Sequence, residues 1–127
     1  MEKLIKIAWQ AREYAYAPYS DFKVGAALLC EDGSIYKGCN VENASFGATN
    51  CGERTAIFAA IADGKKKFKA LAVCAMTDEP IMPCGICRQV LAELAPDLEL
   101  ILLGKDSRLD ITIKELMPMG FERGFLE

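Results

Sequence analysis

Two apolar runs with one helix-length segment between them constrain this chain more than any other feature. KALAVCAM (69–76) and LELILL (98–103) are short and apolar, as strands buried on both faces are. PCGICRQVLAELAP lies between them and carries a helix that Pro96 ends. A strand–helix–strand crossover within one sheet is right-handed and makes its two strands parallel neighbours. The next connection, GKDSRLD, is shorter than the dozen or so residues such a crossover needs. The short strand ITI (111–113) beyond it must therefore run antiparallel to LELILL.

The elements upstream complete the sheet. Leu4, Ala8, Ala11 and Ala15 form the apolar stripe of an amphipathic helix that Pro18 ends. FKVGAALLC, the turn signal EDG and SIYKGCNVEN predict a hairpin pairing Phe22–Cys30 with Ile35–Val41. The loop NASFGATN feeds a helix in TNCGERTAIFAAIADG, which Gly64 stops. A short helical KELM leads into Pro118 and the tail MGFERGFLE. The predicted architecture is α/β: three layers, α/β/α, around a mixed five-stranded sheet whose last strand is antiparallel. The length, 127 residues, suits a single domain spanning 1–127.

Hydrophobic residues make up 52% and charged residues 26%, the balance of a globular chain and not of a disordered one. MEKLIKIAWQAREYAY alternates apolar and charged positions, so neither a signal peptide nor a membrane span is expected there, and the cytoplasm is the expected compartment. The net charge of −3, from 15 basic and 18 acidic residues, weighs against a nucleic-acid partner, which would need many cations to displace phosphate counterions. KKKFK (65–69) is read as a solvated turn after a helix end, where lysines suit the negative end of the dipole.

Six cysteines and no histidine set the chemistry. No Ser-His or Cys-His hydrolase can be built, and a transition-metal site would have to rest on thiolates and carboxylates. Cys84 and Cys87, three apart at a helix start, share a face of its first turn. Alone, that spacing fits a redox pair, half of a zinc knuckle, or coincidence in a core. A thioredoxin-like pair would follow the first strand of that fold, and the order of elements here does not match. The other helix mouth adds Cys51 alone, so a zinc ion would have three protein ligands. Structural zinc is normally closed by four, whereas catalytic zinc keeps one position for water. Both helix N-termini favour thiolates. Arg54 is placed to offset their charge, and Glu53 to move protons beside the metal. Taken alone, Glu53 would be an ordinary first-turn partner of the helix dipole.

CGER (51–54) with PCGIC (83–87) resembles the zinc-dependent deaminase signature of a ligand, one residue and Glu, followed by P-C-x-x-C. AYAPYSDFKVGAAL, NVEN (40–43), CGERTAIFAA and CGICRQVLAEL narrow the resemblance to the small homotetrameric cytidine deaminases, over nearly the whole chain. The resemblance implies zinc on Cys51, Cys84 and Cys87, with Glu53 shuttling protons while water is added at carbon 4 of a pyrimidine and ammonia leaves. It implies that Asn40 and Glu42 hold the ribose 3′-hydroxyl, that Phe22 packs near the base, and that the Gly52 N–H meets the pyrimidine carbonyl. It also implies that Phe121 reaches into a neighbouring subunit's site. By spacing alone Phe22 and Phe121 would be core residues. Cys30, Cys39 and Cys74 match no ligand and are expected to be small buried residues.

This sequence departs from the family pattern in two places. NASYG reads NASFG, so Phe46 lacks a hydroxyl near the sugar, and CAER reads CGER. The expected activity is deamination of cytidine and 2′-deoxycytidine in pyrimidine salvage, with a nucleoside as the only small partner and no membrane or nucleic acid. The alternatives are a deaminase of another small amino-heterocycle, such as blasticidin S, and a zinc-stabilised binding module without chemistry.

Overall fold

The computed structural model describes residues 1–126. The elements run α1 (Glu2–Arg12), β1 (Val24–Cys30), β2 (Ile35–Cys39), α2 (Gly52–Ala62), β3 (Phe68–Ala75), α3 (Gly85–Leu94), β4 (Glu99–Leu103), β5 (Arg108–Thr112) and α4 (Ile113–Leu116). The five strands form one sheet in the order β2-β1-β3-β4-β5. β3 and β4 are parallel and β5 is antiparallel to β4, as the connection lengths require. β1 pairs with both β2 and β3 in antiparallel fashion.

Alternation along the strands divides the core between two faces. Ala26, Leu28, Leu71, Val73, Leu100 and Leu102 pack with Ala56, Ile57 and Ala60 of α2 and Leu91 of α3. Ala27, Ala70, Ala72, Cys74 and Ile101 pack with Leu4 and Ala8 of α1 on the other face. The result is the expected three layers. Each fully buried leucine contributes about 1.5–3 kcal/mol by leaving water, so the apolar β3 and β4 anchor the sheet. Small residues let the helices approach closely. A Cβ on Gly38 of β2 would lie 2.4 Å from the Gly52 carbonyl oxygen and 2.5 Å from the Ala56 nitrogen, so the first turn of α2 rests directly on that glycine. No helix among the described residues is long and apolar enough to cross a membrane.

Three boundaries differ from the sequence reading, each for a local reason. α1 ends at Arg12 and not near Pro18, because the next turns bond to carbonyls three residues back and Tyr16 then bridges Val41. The hairpin is shorter than predicted, starting at Val24 and ending at Cys39. There the Asn40 side chain replaces the ladder: Oδ1 accepts from the Val24 N–H at 2.8 Å, and Nδ2 donates to the Phe22 carbonyl at 2.8 Å. The last strand covers Arg108–Thr112 instead of ITI, because Ile113 already begins α4. Thr112 and Glu115 form a capping box that turns the chain into that helix.

Candidate metal centre

α2 and α3 both begin with a cysteine as N-cap, and neither thiol caps its own helix. Serine, threonine, asparagine or aspartate at such a position would stabilise the helix by about 1 kcal/mol. The thiols turn instead toward each other. The Sγ atoms of Cys51, Cys84 and Cys87 all lie within 4.8 Å of one another, with Cys51 and Cys84 at 3.7 Å. Tetrahedral zinc with bonds of about 2.3 Å holds its sulfurs about 3.8 Å apart. The three-sulfur set therefore fits zinc. Cys87 is fully buried, Cys51 half-buried and Cys84 exposed, so the cluster opens to one side.

The surroundings favour thiolate at Cys51. Arg54 Nη2 donates to Cys51 Sγ at 3.3 Å. Hydrogen bonding to the Cys87 thiol, then to Arg54, lowers Cys51 to about 5, while the same pairing pushes Cys87 upward. The mouths of both helices are braced from behind. Thr55 Oγ1 donates to the Cys51 carbonyl at 3.0 Å and accepts from Asn50 Nδ2 at 3.1 Å. Arg88 Nε donates to the Pro83 carbonyl at 2.8 Å and its Nη1 to the Leu116 carbonyl at 3.3 Å, tying the loop before Cys84 to α4.

Glu53 is only 4% exposed. Burial pushes its carboxyl up to about 7. It stands in the first turn of α2, two residues beyond Cys51, near enough to Cys51 and Cys87 for their charges to interact. Gly52 is buried between them in sequence.

The NVEN segment is drawn to this centre by backbone pairing. Val41 and Asn50 exchange N–H···O bonds of 2.9 Å, so Asn40 and Glu42 flank the residue that pairs just before Cys51. Asn40 is buried, and its amide spans Phe22 and Val24. Phe22 is 40% exposed and Phe121 57% exposed, so neither is the core residue that spacing alone implies. Phe121 lines a cavity of about 500 Å³ with Pro96, Ile113 and Met117, none of them a predicted site residue, and its carbonyl accepts from Gln89 at 2.7 Å. Phe46 is exposed and meets the Tyr19 ring edge-on, with centroids 6.3 Å apart. Cys30 and Cys74 are buried as expected, but Cys39, at the strand end, is only half-buried.

The contacts that Thr55, Arg88 and Ser20 make around these segments were not legible in the sequence. The first two act through carbonyls at helix mouths, which no side-chain pattern announces. Ser20 bonds to Glu42 across 22 residues of sequence.

Comparison with known proteins agrees with this geometry. Residues 1–101 match the family described as cytidine and deoxycytidylate deaminase zinc-binding region. The chain is 53% identical over 122 residues to the cytidine deaminase of Halalkalibacterium halodurans, covering 94% of this chain and 92% of that one. It superposes on a crystal structure of cytidine deaminase from Burkholderia pseudomallei with a TM-score of 0.92 at 51% identity, covering 94% and 98% of the two chains. The blasticidin-S deaminase of Bacillus cereus stands further away, 30% identical over 115 residues, 83% of this chain and 82% of that one. With a matching profile over most of its length and the three cysteines gathered at two helix mouths, the chain belongs to the cytidine and deoxycytidylate deaminase family.

Proposed function

We propose that this protein is a zinc-dependent hydrolase that converts cytidine and 2′-deoxycytidine, with water, to uridine and 2′-deoxyuridine plus ammonia. One observation carries the reading: three sulfurs within 4.8 Å of one another, with the buried Glu53 two residues past the first. Cys51, Cys84 and Cys87 would hold the metal, which supplies a water made acidic enough to be a nucleophile at neutral pH. Glu53 takes a proton from the attacking water and delivers it to the ring nitrogen beside the reacting carbon, then assists departure of ammonia. Its burial keeps bulk water from competing for that proton. Arg54 offsets the excess charge of three thiolates through its bond to Cys51.

The remaining residues bind and orient. The Gly52 N–H holds the pyrimidine carbonyl, Phe22 packs on the base, and Asn40 and Glu42 take the 3′-hydroxyl. The exposure of Phe22 and the pairing of Val41 with Asn50 support those roles. A hydroxyl donates to a carboxylate, whereas a phosphate at that position would be repelled by it, so a 3′-phosphorylated nucleoside is disfavoured. Residues 1–127 act as one deaminase-like domain. With the family resemblance as support, the reading extends to a cytoplasmic homotetramer in pyrimidine salvage, in which Phe121 contributes to a neighbour's site. The greater identity to a cytidine deaminase than to a blasticidin-S deaminase favours cytidine over the other amino-heterocycle.

The test is the ultraviolet absorbance of cytidine incubated with zinc-loaded protein, beside Glu53→Ala. Conversion to uridine is expected for the wild type alone, and Glu53→Ala should keep its zinc. Turnover by Glu53→Ala with intact metal would remove Glu53 from the mechanism, and no turnover by the zinc-loaded wild type would overturn the activity.

A further inference from the structure

The loop before β1 and the segment after β2 are joined by more polar contacts than a surface crossing requires. Glu42 Oε1 accepts from the backbone N–H of Tyr19 at 2.9 Å and of Ser20 at 3.1 Å, and Oε2 accepts from the Ser20 hydroxyl. The same hydroxyl oxygen accepts from the Phe22 N–H at 3.1 Å. Asp21, between them, has φ 55, the left-handed conformation that a residue other than glycine seldom adopts. That turn brings the Phe22 N–H back onto Ser20. Tyr16 closes the other end, its N–H bonding to the Asn40 carbonyl at 3.0 Å and its carbonyl accepting from the Glu42 N–H at 2.8 Å.

Counting donors and acceptors shows what this arrangement leaves open. Among the described residues Glu42 Oε2 has one protein donor and room for a second. Asn40 Nδ2 spends one of its two N–H groups on Phe22 and keeps one. Together they offer one acceptor and one donor, the complement of a single hydroxyl. With Oε1 held by the backbone N–H groups of Tyr19 and Ser20, the Ser20 hydroxyl fixes the second oxygen, Oε2, and so completes the orientation of the carboxylate. The bond also holds the Glu42 carboxyl below the ordinary carboxylate range, so it remains a pure acceptor.

From this geometry we infer that Ser20 is a positioning residue for the sugar: through its hydroxyl it fixes Glu42 to receive the 3′-hydroxyl. The inference rests on the reading that Glu42 contacts the 3′-hydroxyl, and it adds a residue that reads the sugar without touching it. Ser20 is exposed and belongs to no core cluster, so replacing it does not threaten the fold.

The experiment compares uridine with 3′-deoxyuridine, by calorimetric binding to the zinc-loaded enzyme, for wild type, Ser20→Ala, Ser20→Thr and Glu42→Ala. Kinetics on cytidine accompany it. Ser20→Ala should weaken uridine about five- to tenfold, the loss of one charge-assisted bond discounted for exposure. It should leave 3′-deoxyuridine unchanged and raise KM for cytidine more than it lowers kcat. Ser20→Thr, which keeps the hydroxyl, should restore uridine binding. Equal weakening of both nucleosides, or of neither, would overturn the role of Ser20. If Glu42→Ala leaves the preference for uridine intact, the assignment of Glu42 itself fails, and the role of Ser20 falls with it.

Discussion

Gly38→Ala should damage the proposed metal centre without touching any of its three cysteines. The new methyl carbon would sit 2.4 Å from the Gly52 carbonyl oxygen and 2.5 Å from the Ala56 nitrogen, both main-chain atoms of α2. Ordinary contact needs roughly 1 Å more, and backbone cannot rotate away as a side chain would. The first turn of α2 must therefore rise from the sheet. Overpacking of this kind costs about 1–3 kcal/mol, or a fall in Tm on the order of 10 °C for a domain of this size. The chemical consequence is sharper. Cys51 immediately precedes Gly52 and would move with it, while Cys84 and Cys87 stay on α3. Zinc–sulfur bonds tolerate only a few tenths of an ångström. Affinity for zinc, read by competition with a chromophoric chelator, should fall by at least tenfold. Gly47→Ala is the control, because nothing lies within 4 Å of its added carbon. Wild-type melting and wild-type zinc affinity in Gly38→Ala would refute the claim that this glycine sets the height of α2.

Two further expectations follow from single residues. Cys87→Ser should lose stoichiometric zinc, measured by elemental analysis of purified protein, whereas Cys74→Ser should retain it because Cys74 lies among the residues under α1. Asp32 accepts from the Ser34 hydroxyl and backbone and from Lys65, and these bonds hold its carboxyl well below the ordinary carboxylate range. A depressed carboxylate stabilises the fold in full above its unfolded value of about 4 and loses that contribution as pH falls further. Asp32→Asn should thus be less stable than wild type at pH 7 in urea titrations, with the gap closing below about pH 4. A gap that widens on acidification would refute the assignment.

The sheet was legible because connection length alone decides strand direction around β4. The pairing of β1 with β3 was not, since neighbours separated in sequence by β2 and α2 leave no mark in periodicity. The cysteine centre was legible because thiols at helix mouths have few other uses. The hairpin ends were misjudged for the opposite reason. Asn40 satisfies strand positions with its side chain, so the ladder stops where the hydrophobic pattern still continues. Phe22 was ambiguous for a related cause: an aromatic on an alternating strand pattern points to the core, yet it lies just outside the strand, in the turn that Asp21 makes. The capping box at Thr112 and Glu115 was available in TIKE, and reading it would have placed the last strand correctly.

The proposed metal ligands come from two helices, and Cys51 and Cys84 are 33 residues apart. An ion shared by both therefore closes a loop, much as a covalent cross-link between those positions would. Loops of this length cost a few kcal/mol of chain entropy when pinned, so the unfolded chain gains more freedom from losing the ion than the folded one does. The proposed metal centre would thus also be a staple. On the proposed reading, removing zinc with a chelator would withdraw a constraint that holds α2 against α3, and inactivation and loosening of that half of the molecule should arrive together.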